Sequence, residues 1–191
     1  CFDRWRLMRE NGGLAMPSRP CLPSRSPVLQ LTALTAPFYP ELAELGEFEA
    51  VAAEELPADF QTLLAHDDHM TVKVEAFHNS LVDVRVLREH REGELYSRVS
   101  LLERRTDGRV VQLGVMRINL ARLSPAVRAE IETHRMPLGR ILIRHNVMRH
   151  VRLFQLWRIT PGPELARHLG SGGDPSGDRQ YVYGRTAGIM V

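Results

Sequence analysis

The sequence predicts an α+β domain with a largely antiparallel sheet, and three observations carry that prediction. Residues 81–88, 95–103 and 110–120 alternate apolar and polar side chains, the period of a strand with one buried face. Glu92-Gly93 and Thr106-Asp107-Gly108-Arg109 separate these runs, and Asp-Gly between alternating segments is a strong hairpin signal. The strands are grouped, with helical segments inserted between the groups.

In chain order, residues 1–27 read as a disordered or miscalled tail. Asn11-Gly12-Gly13 and the prolines at 17, 20, 23 and 27 break any period, and no apolar signal-peptide core is present. The chain opens on Cys1, with Met8 and Met16 as alternative starts. Residues 28–191 form the predicted domain. Pro40 to Leu45 suits a short helix, and Pro57 opens another over 57–64 at the position its fixed dihedral favours. Residues 71–77 are ambiguous: Val72 and Val74 alternate as in a strand, whereas Met70, Val74 and Phe77 share a helix face. Asn79-Ser80 then turns the chain into the meander.

After the meander, Ser124 caps a helix that Pro125 opens and that stops near Arg135. A turn at 137–140 leads into Ile141-Leu142-Ile143, which Asn146 ends. Residues 151–159 read as a strand, 164–168 as a helical turn, 170–177 as a mobile loop and 181–191 as the last strand.

A chain of 191 residues with 43% hydrophobic and 25% charged side chains is long enough for one domain with a true core. The net charge of +2 gives no field that argues for nucleic acid. No apolar run approaches the roughly 18 residues of a membrane-spanning helix. Cys1 and Cys21 both lie in the tail and match neither a disulfide framework nor zinc spacing, so a cytoplasmic setting is expected.

Candidate chemistry concentrates in a few places. In Met136-Pro137-Leu138-Gly139-Arg140, Pro137 fixes one dihedral, Gly139 frees another and Arg140 adds a cation. Backbone donors beside an arginine suit a small carboxylate or phosphate; the same pattern also reads as a helix-start turn with a solvated arginine. Arg98 shares one strand face with Tyr96, Ser100 and Leu102. Were that face internal, the arginine would need an anion. Alternation alone favours the opposite face, with Leu95, Val99 and Leu101, as the buried one.

His66, Asp67, Asp68 and His69 are metal-ligand types, but consecutive side chains rarely all face one ion, so a polar loop is preferred and no metal is expected. Arginines 140, 144, 149 and 152 form a basic patch without an aromatic stacking platform, which favours an exposed edge over RNA binding. Phosphate-loop and dinucleotide fingerprints are absent, and no Ser-His-Asp set can be argued.

Five pieces in order resemble the chorismate lyase (chorismate–pyruvate lyase, 4-hydroxybenzoate synthase) family. They are Asp68-His69-Met70-Thr71 with Glu75; Val84-Arg85-Val86-Leu87-Arg88-Glu89; Tyr96-Ser97-Arg98-Val99-Ser100-Leu101-Leu102; Met136-Pro137-Leu138-Gly139-Arg140; and Tyr183-Gly184-Arg185-Thr186-Ala187. The resemblance covers about residues 55–191. It implies an α+β domain whose helices and flaps enclose an internal pocket, with no metal or organic cofactor. It also implies conversion of chorismate to 4-hydroxybenzoate and pyruvate, as in aromatic precursor supply for quinones. By carry-over, Arg98 is the catalytic residue and pairs with the ring carboxylate. The backbone N–H groups of Met70 and Leu138 bind the same group, and Met70 and residues 137–143 belong to flaps.

The partners implied are the small-molecule substrate and product alone, with no nucleic acid or membrane, on a monomer or weak dimer. The family carries a functional glutamate on a further strand after Tyr-Gly-Arg-Thr-Ala. The chain stops at Val191, so it is expected to lack that last strand, as a fragment or a natural truncation of doubtful activity. The same fold serves ligand-binding domains of bacterial regulators. A non-catalytic domain for a small carboxylate is therefore the alternative, although residues 1–55 are too short and proline-rich for a helix-turn-helix.

Overall fold

The computed structural model describes residues 26–147, 150–169 and 181–190. Their order is α1 (Pro27–Thr35), β1 (Gly46–Val51), α2 (Ala58–Leu64), α3 (Met70–His78), β2 (Val82–Glu92), β3 (Leu95–Arg104), β4 (Val110–Asn119), α4 (Pro125–Glu132), α5 (Leu138–Arg144), β5 (His150–Pro161), α6 (Pro163–Leu169) and β6 (Val182–Met190). The fold is α+β. Its strands divide into two antiparallel three-stranded sheets, ordered β2-β3-β4 and β1-β5-β6, and neither closes into a barrel.

The meander forms where alternation and turn chemistry place it. Gly93 and Gly108 take φ values of 58° and 70°, which a side chain would resist, at the two hairpin turns. Asp107 holds the second turn by accepting from the Arg109 backbone N–H at 3.1 Å and pairing with Arg104. Ser124 caps α4, its hydroxyl accepting from the Val127 N–H at 3.4 Å.

Several expectations change. Pro27 is the first residue of α1, so the tail reading ends earlier than expected; residues 1–25 of that tail, both cysteines and the 170–177 loop lie outside the described residues. Neither α1 nor β1 was expected. Residues 71–77 are helical, because Thr71 and Val74 bury on one side while Val72 stays exposed. The helix expected at Pro40 to Leu45 is one 3-10 turn, Leu42–Glu44. Pro57 stands just before α2 instead of inside it.

Two glycines let β1 meet the end of β5. A Cβ on Gly46 (φ 150°) would lie 2.3 Å from the Thr160 carbonyl oxygen, and one on Gly162 would lie 2.6 Å from that of Glu44. The close approach is fixed by Gly162 N–H donating to Leu45 O at 2.7 Å.

Three apolar clusters hold the domain. Val51, Leu64, Val74, Val82, Leu102 and Leu156 tie α2 and α3 to both sheets. Leu31, Tyr39, Val99, Trp157, Ile159 and Leu165 tie α1 and α6 to both sheets, with Phe48 edge-on to Trp157 at 5.9 Å. Leu120, Val127, Ile131, Ile141 and Leu142 seat α4 and α5 beside Tyr96 on β3. Each such aliphatic side chain contributes about 1.5–3 kcal/mol by leaving water.

Candidate functional site

β3 has no wet face. Val99 and Leu101 are buried on one side, and Tyr96, Arg98 and Leu102 are buried on the other. The ladder sets Arg98 opposite Met116, Ser100 opposite Gly114 and Leu102 opposite Gln112. These six therefore share one face, and they floor one part of a cavity of about 840 Å³ that also reaches Leu113 and Val115 on the other face of β4. Its walls come from the starts of α3 and α5, from Phe60 and Leu63 of α2, and from Tyr183 and Arg185 of β6.

Arg98 is only 2% exposed, and its Nε and Nη1 are buried without a hydrogen-bond partner. The expectation from alternation, a solvated arginine, is overturned because helices and the second sheet cover both faces. Burial disfavours the charged guanidinium and lowers its pKa; the nearby Tyr96 and Glu89 partly offset this. A buried ion with two of its three nitrogens unpartnered is incompletely compensated for a desolvation cost of several kcal/mol. A guanidinium left in that state at a cavity wall is a ready receptor for a carboxylate or phosphate.

Behind Arg98 lies a polar cluster that sequence reasoning missed. Tyr96 Oη donates to Glu89 Oε2 at 3.0 Å, and His134 Nε2 stands 3.0 Å from both atoms. Burial, then the bond to Glu89, pushes the Tyr96 phenol up to about 12. These residues line a second cavity of about 390 Å³ beside the Arg91–Glu132 pair. The signal was weak because His134 lies 38 residues beyond Tyr96 and is brought to the Glu89–Tyr96 hairpin by α4.

The other two site residues, Met70 and Leu138, are the first residues of α3 and α5, and both line the cavity. N–H groups in a helix's first turn have no intrahelical acceptor. His69 and Pro137 precede them without side-chain caps. The 137–140 segment is thus a helix start, and two of its features differ from the expectation. Gly139 is not in the left-handed region; its value is space, because a Cβ there would lie 2.9 Å from Thr71 Oγ1. Arg140 is not a spare cation: it pairs with Glu75, which also accepts from the Val82 N–H at 3.0 Å.

The four polar residues at 66–69 go separate ways. His66 Nε2 meets Leu63 O at 2.7 Å, Asp67 accepts from the Leu153 N–H at 2.7 Å, and Asp68 pairs with Lys73 at 2.9 Å. His69 Nδ1 is buried without a partner. Arg185 of β6 fastens this segment, donating to the carbonyls of Leu64, His66 and Asp68 at 3.2, 2.6 and 3.1 Å. Of the basic patch, Arg144 pairs with Glu130 at 3.0 Å, and Arg149 lies outside the described residues.

Gln112 was also missed. Its Oε1 is buried at the cavity floor with no partner. A polar residue alternating with Gly114 and Met116 in the otherwise apolar run 110–116 was the available signal. No family model matches this chain, and no curated protein matches it.

Proposed function

We propose that this chain is a chorismate lyase-type domain that binds a small cyclic carboxylate against Arg98 and releases 4-hydroxybenzoate and pyruvate from chorismate. The observation that carries the reading is the buried Arg98 guanidinium on the cavity floor, whose Nε and Nη1 have no hydrogen-bond partner. A carboxylate there replaces the water that folding removed and forms charge-assisted bonds to Nε and Nη1. The first-turn N–H groups of Met70 and Leu138, on the same cavity, are donors for that carboxylate. Losing pyruvate makes the ring aromatic, so the protein's task is to hold the dianion, keep water out and let a proton move as the ether C–O bond breaks. No metal or organic cofactor is needed for that chemistry.

The test is direct. Purified protein is incubated with chorismate while pyruvate release and 4-hydroxybenzoate absorbance are followed together. Stoichiometric appearance of both supports the reading, and absence of both defeats the catalytic part.

A second reading, a binding domain without turnover, is favoured by one observation. The described floor around Arg98 consists of Ser100, Leu102, Gln112, Gly114 and Met116, none of them a carboxylate, and the one carboxylate among the described lining residues, Asp59, stands exposed on α2 away from that floor. Tight binding of 4-hydroxybenzoate with no product from chorismate selects this alternative.

A further inference from the structure

We infer that Gln112 is the second recognition point of the cavity, selecting ring carboxylates that carry a hydroxyl or N–H donor far from the acid group. The inference rests on the reading of Arg98 as the carboxylate receptor. Gln112 Oε1 is an acceptor buried on the same floor as Arg98, with no donor from the protein. An unpaired buried carbonyl is costly, and a ligand hydroxyl is the group that would complete it.

The register gives the spacing. Met116 is opposite Arg98, and Gly114 is the next residue of β4 on the same face, with Gln112 beyond it. Gln112 Nε2 lies 3.3 Å from where a Cβ on residue 114 would stand, so the amide leans over Gly114 toward the Arg98 end. The absent side chain at Gly114 makes that possible. Arg98 and Gln112 are therefore two same-face steps apart, roughly 13 Å along the strand, and the lean of the amide over Gly114 shortens that gap. A benzoate with its hydroxyl opposite the acid spans roughly 6–7 Å between its end oxygens, and a hydrogen bond of about 2.8 Å at each end extends its reach to about 12 Å. An ortho hydroxyl, folded against the carboxylate, cannot reach.

Gln112 makes the cavity discriminating in the manner of sites built around a substrate hydroxyl, which reject the analogue lacking it. The residue touches the ligand away from the breaking bond, so its role is specificity.

Calorimetric titration of benzoate, 4-hydroxybenzoate and 2-hydroxybenzoate into the wild type, Gln112→Leu and Gly114→Ala tests this. The wild type is expected to bind 4-hydroxybenzoate about ten-fold tighter than benzoate, with no such gain for the 2-hydroxy isomer. Gln112→Leu, close in size, should erase the preference and leave benzoate affinity within about two-fold. Gly114→Ala, by crowding the amide, should erode the preference as well, and serves if the leucine variant fails to fold. Equal binding of the acids to wild type, a preference that survives Gln112→Leu, or a matching loss for benzoate overturns Gln112's role and leaves Arg98's intact. No binding of any of these acids to wild type defeats the Arg98 reading and this inference with it.

Discussion

Glu89 and Arg98 stand directly opposite one another in the β2–β3 ladder, yet they form no ion pair. The Glu89 carboxylate is taken by Tyr96 and His134, at 3.0 Å each. The one acid that register offers to Arg98 is thereby held away, and the guanidinium is left for the cavity. Glu89 still lends some opposing field. Glu89→Gln should therefore tighten carboxylate binding, by about two- to five-fold at low ionic strength and less in salt. Calorimetry with benzoate at two salt concentrations measures it. Weaker binding would mean that Glu89 orients Arg98 through Tyr96 instead of opposing it.

Arg98 itself sets stability against ligand binding. Replacing a buried charge that lacks full compensation by an apolar side chain of similar volume commonly stabilises by about 1–4 kcal/mol. Arg98→Met should raise the urea midpoint and abolish benzoate binding in the same protein. A destabilised variant would show that Arg98 is held by interactions stronger than those seen.

Gly139 keeps the starts of α3 and α5 in contact, with Thr71 Oγ1 only 2.9 Å from the space a methyl would fill. Gly139→Ala should separate Met70 from Leu138 and weaken carboxylate binding about five- to ten-fold, with a stability loss of about 1–3 kcal/mol from overpacking. A pair of measurements, thermal unfolding and ligand titration, separates the two effects. Unchanged affinity would remove the helix starts from the ligand site.

Acid should destabilise the fold through His66. Burial first, and the Arg185 guanidinium 3.1 Å from its Nδ1, hold the ring below its ordinary value of 6.5. The unfolded chain takes up a proton as pH falls through that value, while the folded chain resists it. The stabilisation is thus present above about pH 6.5 and is lost on acidification. His78, lowered by burial and then by Arg104, acts in the same direction. Urea midpoints at about pH 7.5 and 5.5 should differ for the wild type, and the difference should shrink in His66→Gln. A midpoint independent of pH would contradict this account.

The meander was legible because period-2 alternation and Asp107-Gly108 are local signals that need no knowledge of the rest of the chain. The same rule failed at Arg98, since alternation identifies a buried face only where the other face is wet, and β3 is covered on both. α1 was hidden because its nine residues, Pro27–Thr35, carry no charge and so show no polar face. β1 is a short strand whose Glu47-Phe48-Glu49 alternation was present but brief. At 137–140 the residues were rightly singled out for the wrong reasons: Gly139 matters for space and Arg140 for its tie to Glu75. Glu75, from a different helix, could not be assigned to Arg140 by spacing. Gln112 needed the cross-strand register before its place beside Arg98 could be read.

The clasp made by Arg185 fixes where the molecule can bend. Three carbonyls between Leu64 and Asp68 are riveted to β6, and Asp67 adds a fourth fastening to β5 through the Leu153 N–H. α3 begins at Met70, immediately past this anchored segment. A swing of α3 against the sheets must therefore hinge at His69, whose extended backbone separates the anchor from the helix. A movement of that kind would part Met70 from Leu138 at the cavity wall while the β6 side stayed fixed.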